Sequence, residues 1–210
     1  MLDIRSVASQ FIFEDAFLHA LPYGEGHIND TYETCFRRPG GPNYRMLLQR
    51  INHWVFKDPA GLMNNIYGVT SFLKEQIAAA GGDVLRETLT VVPTVSGGLF
   101  HRDAAGHYWR MYVFIEDATG YQSCRSERDF YSCGAAFGKF QRLLAGYPVD
   151  RLVETIPDFH NTVKRFEAFK EAVEHDRAGR ASLAGPEIAF ALARERDAGA
   201  LCAQLDAGEI

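Results

Sequence analysis

Residues 23–51 read YGEGHINDTYETCFRRPGGPNYRMLLQRI, and the pattern of this stretch decides the fold. Residues 28–36 (INDTYETCF) alternate between apolar or β-branched and polar types, the period-2 signature of a half-buried strand. Pro39-Gly40-Gly41-Pro42-Asn43 then concentrates the strongest breakers of regular backbone, and so predicts a turn. Residues 44–51 (YRMLLQRI) form a second strand with a more apolar middle. Strand, tight turn and strand make a hairpin. Immediately before it stand two closely spaced glycines, Gly24 and Gly26.

Outward from the hairpin the periodicity changes. Upstream, Val7, Phe11, Phe13, Phe17 and Leu18 fall at mostly helical spacing, predicting an amphipathic helix over 6–20. Downstream, Asp58-Pro59 supplies a capping side chain and a proline at the first helical position. Leu62, Ile66, Val69, Phe72, Leu73 and Ile77 recur at three and four, so this helix buries one face until Gly81-Gly82-Asp83 ends it. Strand-like runs follow at 87–92, 98–101 and 107–115, with a turn at 103–106. After Gly120 the pattern is helical, over 126–144, 159–175 and 186–205. Ser126 with Asp129 predicts a capped start for the first of these, and Asp158 is placed to cap the second. The fold class is α+β: a β-rich part over 1–117 with one inserted helix, then a helical part over 118–210.

Composition narrows the function. The chain has 210 residues, 47% hydrophobic and 23% charged, an ordinary globular profile that excludes disorder or coiled coil as the main organisation. Lys+Arg 22 against Asp+Glu 27 leaves a net charge of −5, which argues against non-specific nucleic-acid binding. Cys35, Cys124, Cys133 and Cys202 show no CxxC spacing, so a paired-thiolate zinc site is not expected and they read as reduced thiols. The first thirty residues carry five acidic side chains and do not read as a signal peptide. No apolar run approaches the ~20 residues of a membrane helix, and the protein is read as soluble and cytoplasmic.

Three segments could carry chemistry. Glycines at 24 and 26 would let backbone N–H groups approach a phosphate, with His27 and Asn29 adding polar groups beside them. The same residues fit a plain β-turn, and a strand follows where a dinucleotide fingerprint would have a helix. Residues 109–120 (WRMYVFIEDATG) run from an aromatic strand into an acidic connector, either a core strand with its linker or the wall of a ligand crevice between two lobes. Residues 156–162 (IPDFHNT) read as a helix start; an Asp158–His160 dyad has no nucleophile beside it.

Taken together, YGEGHINDTYET (23–34), LLQRINHWVFKDPAGLMNNI (47–66), YWRMYVFIEDATGY (108–121), FGKFQRLLAGYP (137–148) and ETIPDFHNTVKRFEAF (154–169) resemble a known family. It is the protein kinase-like phosphotransferases of the aminoglycoside and choline kinase branch, and within it the N-acetylhexosamine 1-kinases. The resemblance implies an antiparallel nucleotide-binding lobe over 1–117 and the first helices of a second lobe over 118–210. It implies ATP and Mg²⁺ as cofactors, an amino sugar as acceptor, and no nucleic-acid or membrane partner. Gly24 and Gly26 would belong to the loop covering the nucleotide phosphates, with Asn29 and the substrate-side His27 at its tip. Phe114, Ile115, Glu116 and Asp117 would be the hinge whose backbone holds adenine.

This sequence also departs from the family pattern. Gln49 stands where the phosphate-pairing strand lysine is expected, and Arg50 beside it points to the other face of a regular strand. The inserted helix offers only Glu75 as a partner for such a cation. No D-x-x-x-x-N, DFG or D-x-D for a catalytic base and magnesium occurs in the second half of the sequence. In the family the catalytic loop is expected shortly after a point such as Ile210. The chain therefore reads as the amino-terminal portion of a sugar 1-kinase, inactive alone. The rival readings are a non-catalytic nucleotide-binding or interaction module, and a kinase of this fold for an aminoglycoside or choline. An amino-terminal portion is also expected to expose an apolar face, from Val173, Ile188, Phe190, Leu192 and Leu201, capable of self-association.

Overall fold

The computed structural model describes residues 3–12, 14–121 and 123–209. Among them, six strands form one antiparallel sheet: β1 (Ala16–Pro22), β2 (Asp30–Arg37), β3 (Asn43–Ile51), β4 (Val91–Val92), β5 (His101–Arg102) and β6 (Tyr108–Val113). The order is β1-β2-β3-β6-β4, with β5 pairing the same edge of β6 as β4 does. One helix, α2 (Pro59–Ala79), is inserted between β3 and β4. This is an α+β architecture, an antiparallel sheet with one inserted helix, followed along the chain by further helices. By compactness the chain divides into Met1–Thr155 and Ile156–Ile210.

Two faces of the sheet are covered differently. Phe36, Leu48, Trp109 and Met111 are buried with Val7, Ala8 and Phe11 of the amino-terminal segment. On the other face Ile51 and Tyr112 pack with Leu62 and Met63 of α2 and with Val91. Residues 48 and 49, like 109 and 110, therefore point to opposite faces, as strand alternation requires. Each large apolar side chain fully removed from water stabilises the sheet by roughly 1.5–3 kcal/mol. The Trp109 indole N–H, buried with its ring, donates to the Asp103 carboxylate at 2.8 Å.

The amino terminus corrects the expected helix over 6–20. Helix α1 (Ile4–Ala8) is a single short turn capped by the Asp3 side chain, and Phe17 and Leu18 lie in β1. Phe13, also assigned to that helix, lies outside the described residues. Pairing with residues 32–37 of β2 outweighs the local helical spacing, and the register shift between Phe17 and His19 disguises the strand alternation. The remaining β-region agrees in kind with the sequence pattern. The strand expected over 87–92 is reduced to Val91–Val92, and that expected over 98–101 lies at His101–Arg102.

Helix α2 starts as expected, its Gly61 N–H donating to the Asp58 carboxylate at 2.9 Å. It ends at Gly81, whose φ of +73° is the left-handed conformation that glycine adopts without strain. Asn65 of α2 makes both an N–H···O and an O···H–N bond with the backbone of Val153, at 2.8 and 3.0 Å. Helix α3 (Glu127–Leu144) is capped by Ser126, which accepts from the Asp129 N–H at 3.1 Å.

In the second unit, α4 (Thr162–His175) starts three residues later than expected. The cap is Asn161, accepting from the Lys164 N–H at 3.0 Å, because Asp158 sits at φ 60°, outside the extended range of an N-cap, and binds Lys164 Nζ at 2.6 Å. The helix expected over 186–205 is broken into α5 (Gly185–Leu192) and α6 (Ala200–Asp206) by a 3₁₀ segment at Glu195–Gly199. Of the side chains expected on an apolar face, Phe190, Leu192 and Leu201 are exposed, whereas Val173 and Ile188 are half-buried.

Candidate functional site

The turn between β1 and β2 carries Gly24 and Gly26. Gly24 has φ +78°, and neither glycine has an atom within 4 Å of where a Cβ would stand, so backbone borders open space. Gly24, Gly26, Asn29 and Thr31 line one cavity of about 190 Å³. The Asn29 side chain has a structural partner as well: its Oδ1 accepts the Asn52 backbone N–H at 2.9 Å, tying the turn to the end of β3.

Residues 114–117, the expected hinge, meet this turn through an aromatic contact. Phe114 lies edge-on to Tyr23 at 5.3 Å between centroids, while the Arg45 guanidinium sits over the Phe114 ring at 4.1 Å. Arg45 also pairs with Glu33 at 3.1 Å and with Glu116. The hydrogen bond to Glu116 is the chief reason the Arg45 pKa is raised, and that same bond lowers the Glu116 carboxyl. The Glu116 carbonyl oxygen accepts from Arg86 at 2.7 Å. Asp117 turns the chain with φ 54°. Glu116, β2 and β3 are thus held together by charge-assisted bonds.

Deeper on the α2 face lies a row that sequence reading identified only in part. Thr31 of β2, Gln49 of β3 and Arg110 of β6 stand directly opposite one another across three strands. Arg110 donates to Gln49 Oε1 from Nε at 2.8 Å and from a terminal nitrogen at 2.5 Å, and Gln49 Nε2 donates to Thr31 Oγ1 at 2.8 Å. Arg110 also reaches the Met63 sulfur on α2 at 3.9 Å. Burial lowers the Arg110 pKa, because removing a charge from water disfavours the charged form. Glu75, the helix carboxylate considered from sequence, is exposed; on the helix it is Met63 that meets Arg110. Arg110 was missed because it sits in a strand that reads as aromatic core.

Arg50 and His27 do not join this row. Arg50 points to the opposite face of the sheet and pairs with Asp30, its Nε at 2.7 Å. With His27, His53, Trp54 and His107 these two line a separate cavity of about 330 Å³. No group of three or more His, Cys, Asp or Glu side chains among the described residues could hold a metal ion. The dyad considered at Asp158 and His160 does not form: Asp158 binds Lys164, and His160 packs edge-on to Phe159. A cavity of about 640 Å³ is lined by residues between 168 and 188, none of them among the nucleotide candidates. No described helix is long and apolar enough to cross a membrane.

A strand–glycine turn–strand unit, a five-strand path and the inserted helix α2 packed on one face of the sheet define a kinase-like fold. Among solved structures, the chain is similar to spectinomycin phosphotransferase APH(9)-Ia in complex with ADP and spectinomycin, with a TM-score of 0.50 and 12% identity. The match covers 90% of this chain and 54% of that one, so the chain spans about half the length of that enzyme. No protein-family model matches the sequence.

Proposed function

We propose that this chain is the nucleotide-binding part of an ATP-dependent phosphotransferase acting on a small hydroxylated molecule. The observation that carries the reading is the joining of the glycine turn to the hinge by Tyr23 and Phe114, with Gln49 on the same side of the sheet. Gly24 and Gly26 would lie over the phosphates, Phe114 to Asp117 would flank the base, and Gln49 would meet the phosphate chain. The Glu116 carbonyl already accepts from Arg86, so adenine recognition would fall to the remaining hinge backbone groups. The acceptor in this reading is an N-acetylhexosamine phosphorylated at its anomeric hydroxyl. That choice rests on the sequence phrases at 23–34, 47–66 and 108–121, with His27 on the substrate side.

Phosphoryl transfer depends on positioning and on charge stabilisation by metal and base. The second half of the sequence offers no D-x-x-x-x-N, DFG or D-x-D to supply them, so the chain alone is expected to bind nucleotide without turning it over. An aminoglycoside acceptor is the second reading, favoured by the likeness to a spectinomycin phosphotransferase. Self-association through Phe190, Leu192 and Leu201 belongs to the proposal as an expectation only. Calorimetric titration with ADP tests the binding. Assays with ATP of the chain, and of the chain extended along its reading frame, test the acceptor with N-acetylglucosamine, N-acetylgalactosamine, choline, kanamycin and spectinomycin. One-to-one ADP binding and transfer by the extended protein to an amino sugar support the proposal. Transfer to spectinomycin or kanamycin alone replaces its acceptor, and absence of ADP binding overturns it.

A further inference from the structure

We infer that the positive charge facing the nucleotide phosphates is supplied by Arg110 on β6, relayed through Gln49, in place of a strand lysine. This rests on the nucleotide-binding reading above and goes beyond it by assigning the cation.

Arg110 is only 8% exposed, yet no carboxylate lies within ion-pair distance of it among the described residues. Glu33 and Glu116, the carboxylates that brace the neighbouring end of the sheet, both engage Arg45 instead. A buried guanidinium without an anion is costly, and native proteins keep such charges paired or coordinated. The partners of Arg110 are the neutral amide of Gln49, the sulfur of Met63 and the ring of Tyr112 at 5.4 Å. The group is thus a desolvated cation with no anionic partner among the described residues, and a ligand phosphate would supply one.

The hydrogen bonds give this charge a direction. Guanidinium groups only donate, so the Gln49 atom that receives two Arg110 N–H groups must be the amide oxygen. The Gln49 amide nitrogen is thereby turned away from Arg110 toward Thr31, which lines the cavity under the glycine turn. An amide whose oxygen is bound by a cation is polarised, and its N–H groups become stronger donors. Arg110 positions and polarises Gln49; one Gln49 N–H is held by Thr31 Oγ1, and the other would be the donor offered to a phosphate. A lysine at position 49 would place its ammonium beside Arg110, two like charges in a buried space, which is a physical reason for glutamine there. The ligand class is a nucleoside di- or triphosphate, and the phosphate chain is the part recognised.

The test separates phosphate recognition from base recognition and from folding. ADP and adenosine are titrated calorimetrically into the wild type, Arg110→Gln and Gln49→Glu, with thermal unfolding of each protein. Gln49→Glu is nearly isosteric and gives Arg110 an anionic partner, so its unfolding temperature should not fall. ADP affinity is expected to drop at least tenfold in both variants, while adenosine affinity changes less than twofold. The preference of the wild type for ADP over adenosine should also shrink as salt is raised. If folded Gln49→Glu binds ADP as the wild type does, or loses ADP and adenosine affinity equally, the assignment of Arg110 is overturned and the nucleotide reading stands. If the wild type binds neither compound, the nucleotide reading itself fails, and this assignment with it.

Discussion

The side-chain oxygen of Asn29 accepts the backbone N–H of Asn52 at 2.9 Å, joining the end of the glycine-bearing turn to the residue that follows β3. A turn whose Gly24 and Gly26 border open space thereby acquires a fixed base. Asn29→Ala removes the acceptor and leaves the Asn52 N–H without its partner. The expected loss of stability is about 1 kcal/mol, with faster hydrogen exchange at Asn52. Chemical denaturation and amide exchange measure both. Unchanged exchange at Asn52 would show that the bond does not anchor the turn.

Acid sensitivity follows from Asp103. Burial pushes its carboxyl up, but hydrogen bonds from the Trp109 indole, from the His107 backbone and from the His107 ring outweigh it and hold the pKa at about 2. A depressed folded-state value stabilises the fold above the ordinary unfolded carboxylate range, near ~3.9, and that stabilisation is lost as pH falls through about 2. The wild type should therefore lose stability relative to Asp103→Asn between roughly pH 4 and pH 2. Unfolding temperatures of the two proteins across pH 2–6 check this. Parallel curves would remove Asp103 from the acid transition.

The start of α2 is closely fitted. A Cβ at Gly61 would meet the Asp58 capping carboxylate and stand 2.6 Å from the Val153 side chain. Gly61→Ala should destabilise by roughly 1–3 kcal/mol, although alanine is the better helix former by about 1 kcal/mol. Asp58→Ala should cost about 0.5–2 kcal/mol through the cap alone. Because both changes act at the same cap, the double variant should cost less than the sum, as read by urea unfolding.

The Arg45 bridge predicts a different balance. Its side chain is 36% exposed and that of Glu116 50%, so the pairs are screened and contribute little to global stability. Arg45→Ala also removes the cation over Phe114. We expect global stability to fall by less than about 1 kcal/mol, with local exchange rising at Phe114 to Asp117. A large loss of global stability without local change at the hinge would contradict this.

How far the sequence could be read follows from the range of the interactions involved. The β2–β3 hairpin is legible because alternation and the breakers at 39–43 are local signals. The same holds for α2, with Asp58-Pro59 at one end and Gly81 at the other. Strand β1 was not legible, since Phe11, Phe17 and Leu18 imitate helical spacing and only pairing with β2 selects the strand. Asn161 rather than Asp158 caps α4 because the backbone at Asp158 is left-handed, which composition does not reveal. In the candidate site, Gly24 and Gly26 stand out by residue type, and residues 114–117 enter as an expected hinge only through the family resemblance. Arg110 does not stand out, because its meaning lies in a cross-strand register with Gln49 and in its burial.

The most direct test of the central claim is an amide chemical-shift titration of the isotopically labelled chain with ADP. The account predicts saturable, one-to-one changes concentrated at Gly24, Gly26, Thr31, Gln49 and residues 114–117. Shifts confined to other parts of the chain, or no saturable shifts at millimolar ADP, would contradict a nucleotide site on this face of the sheet.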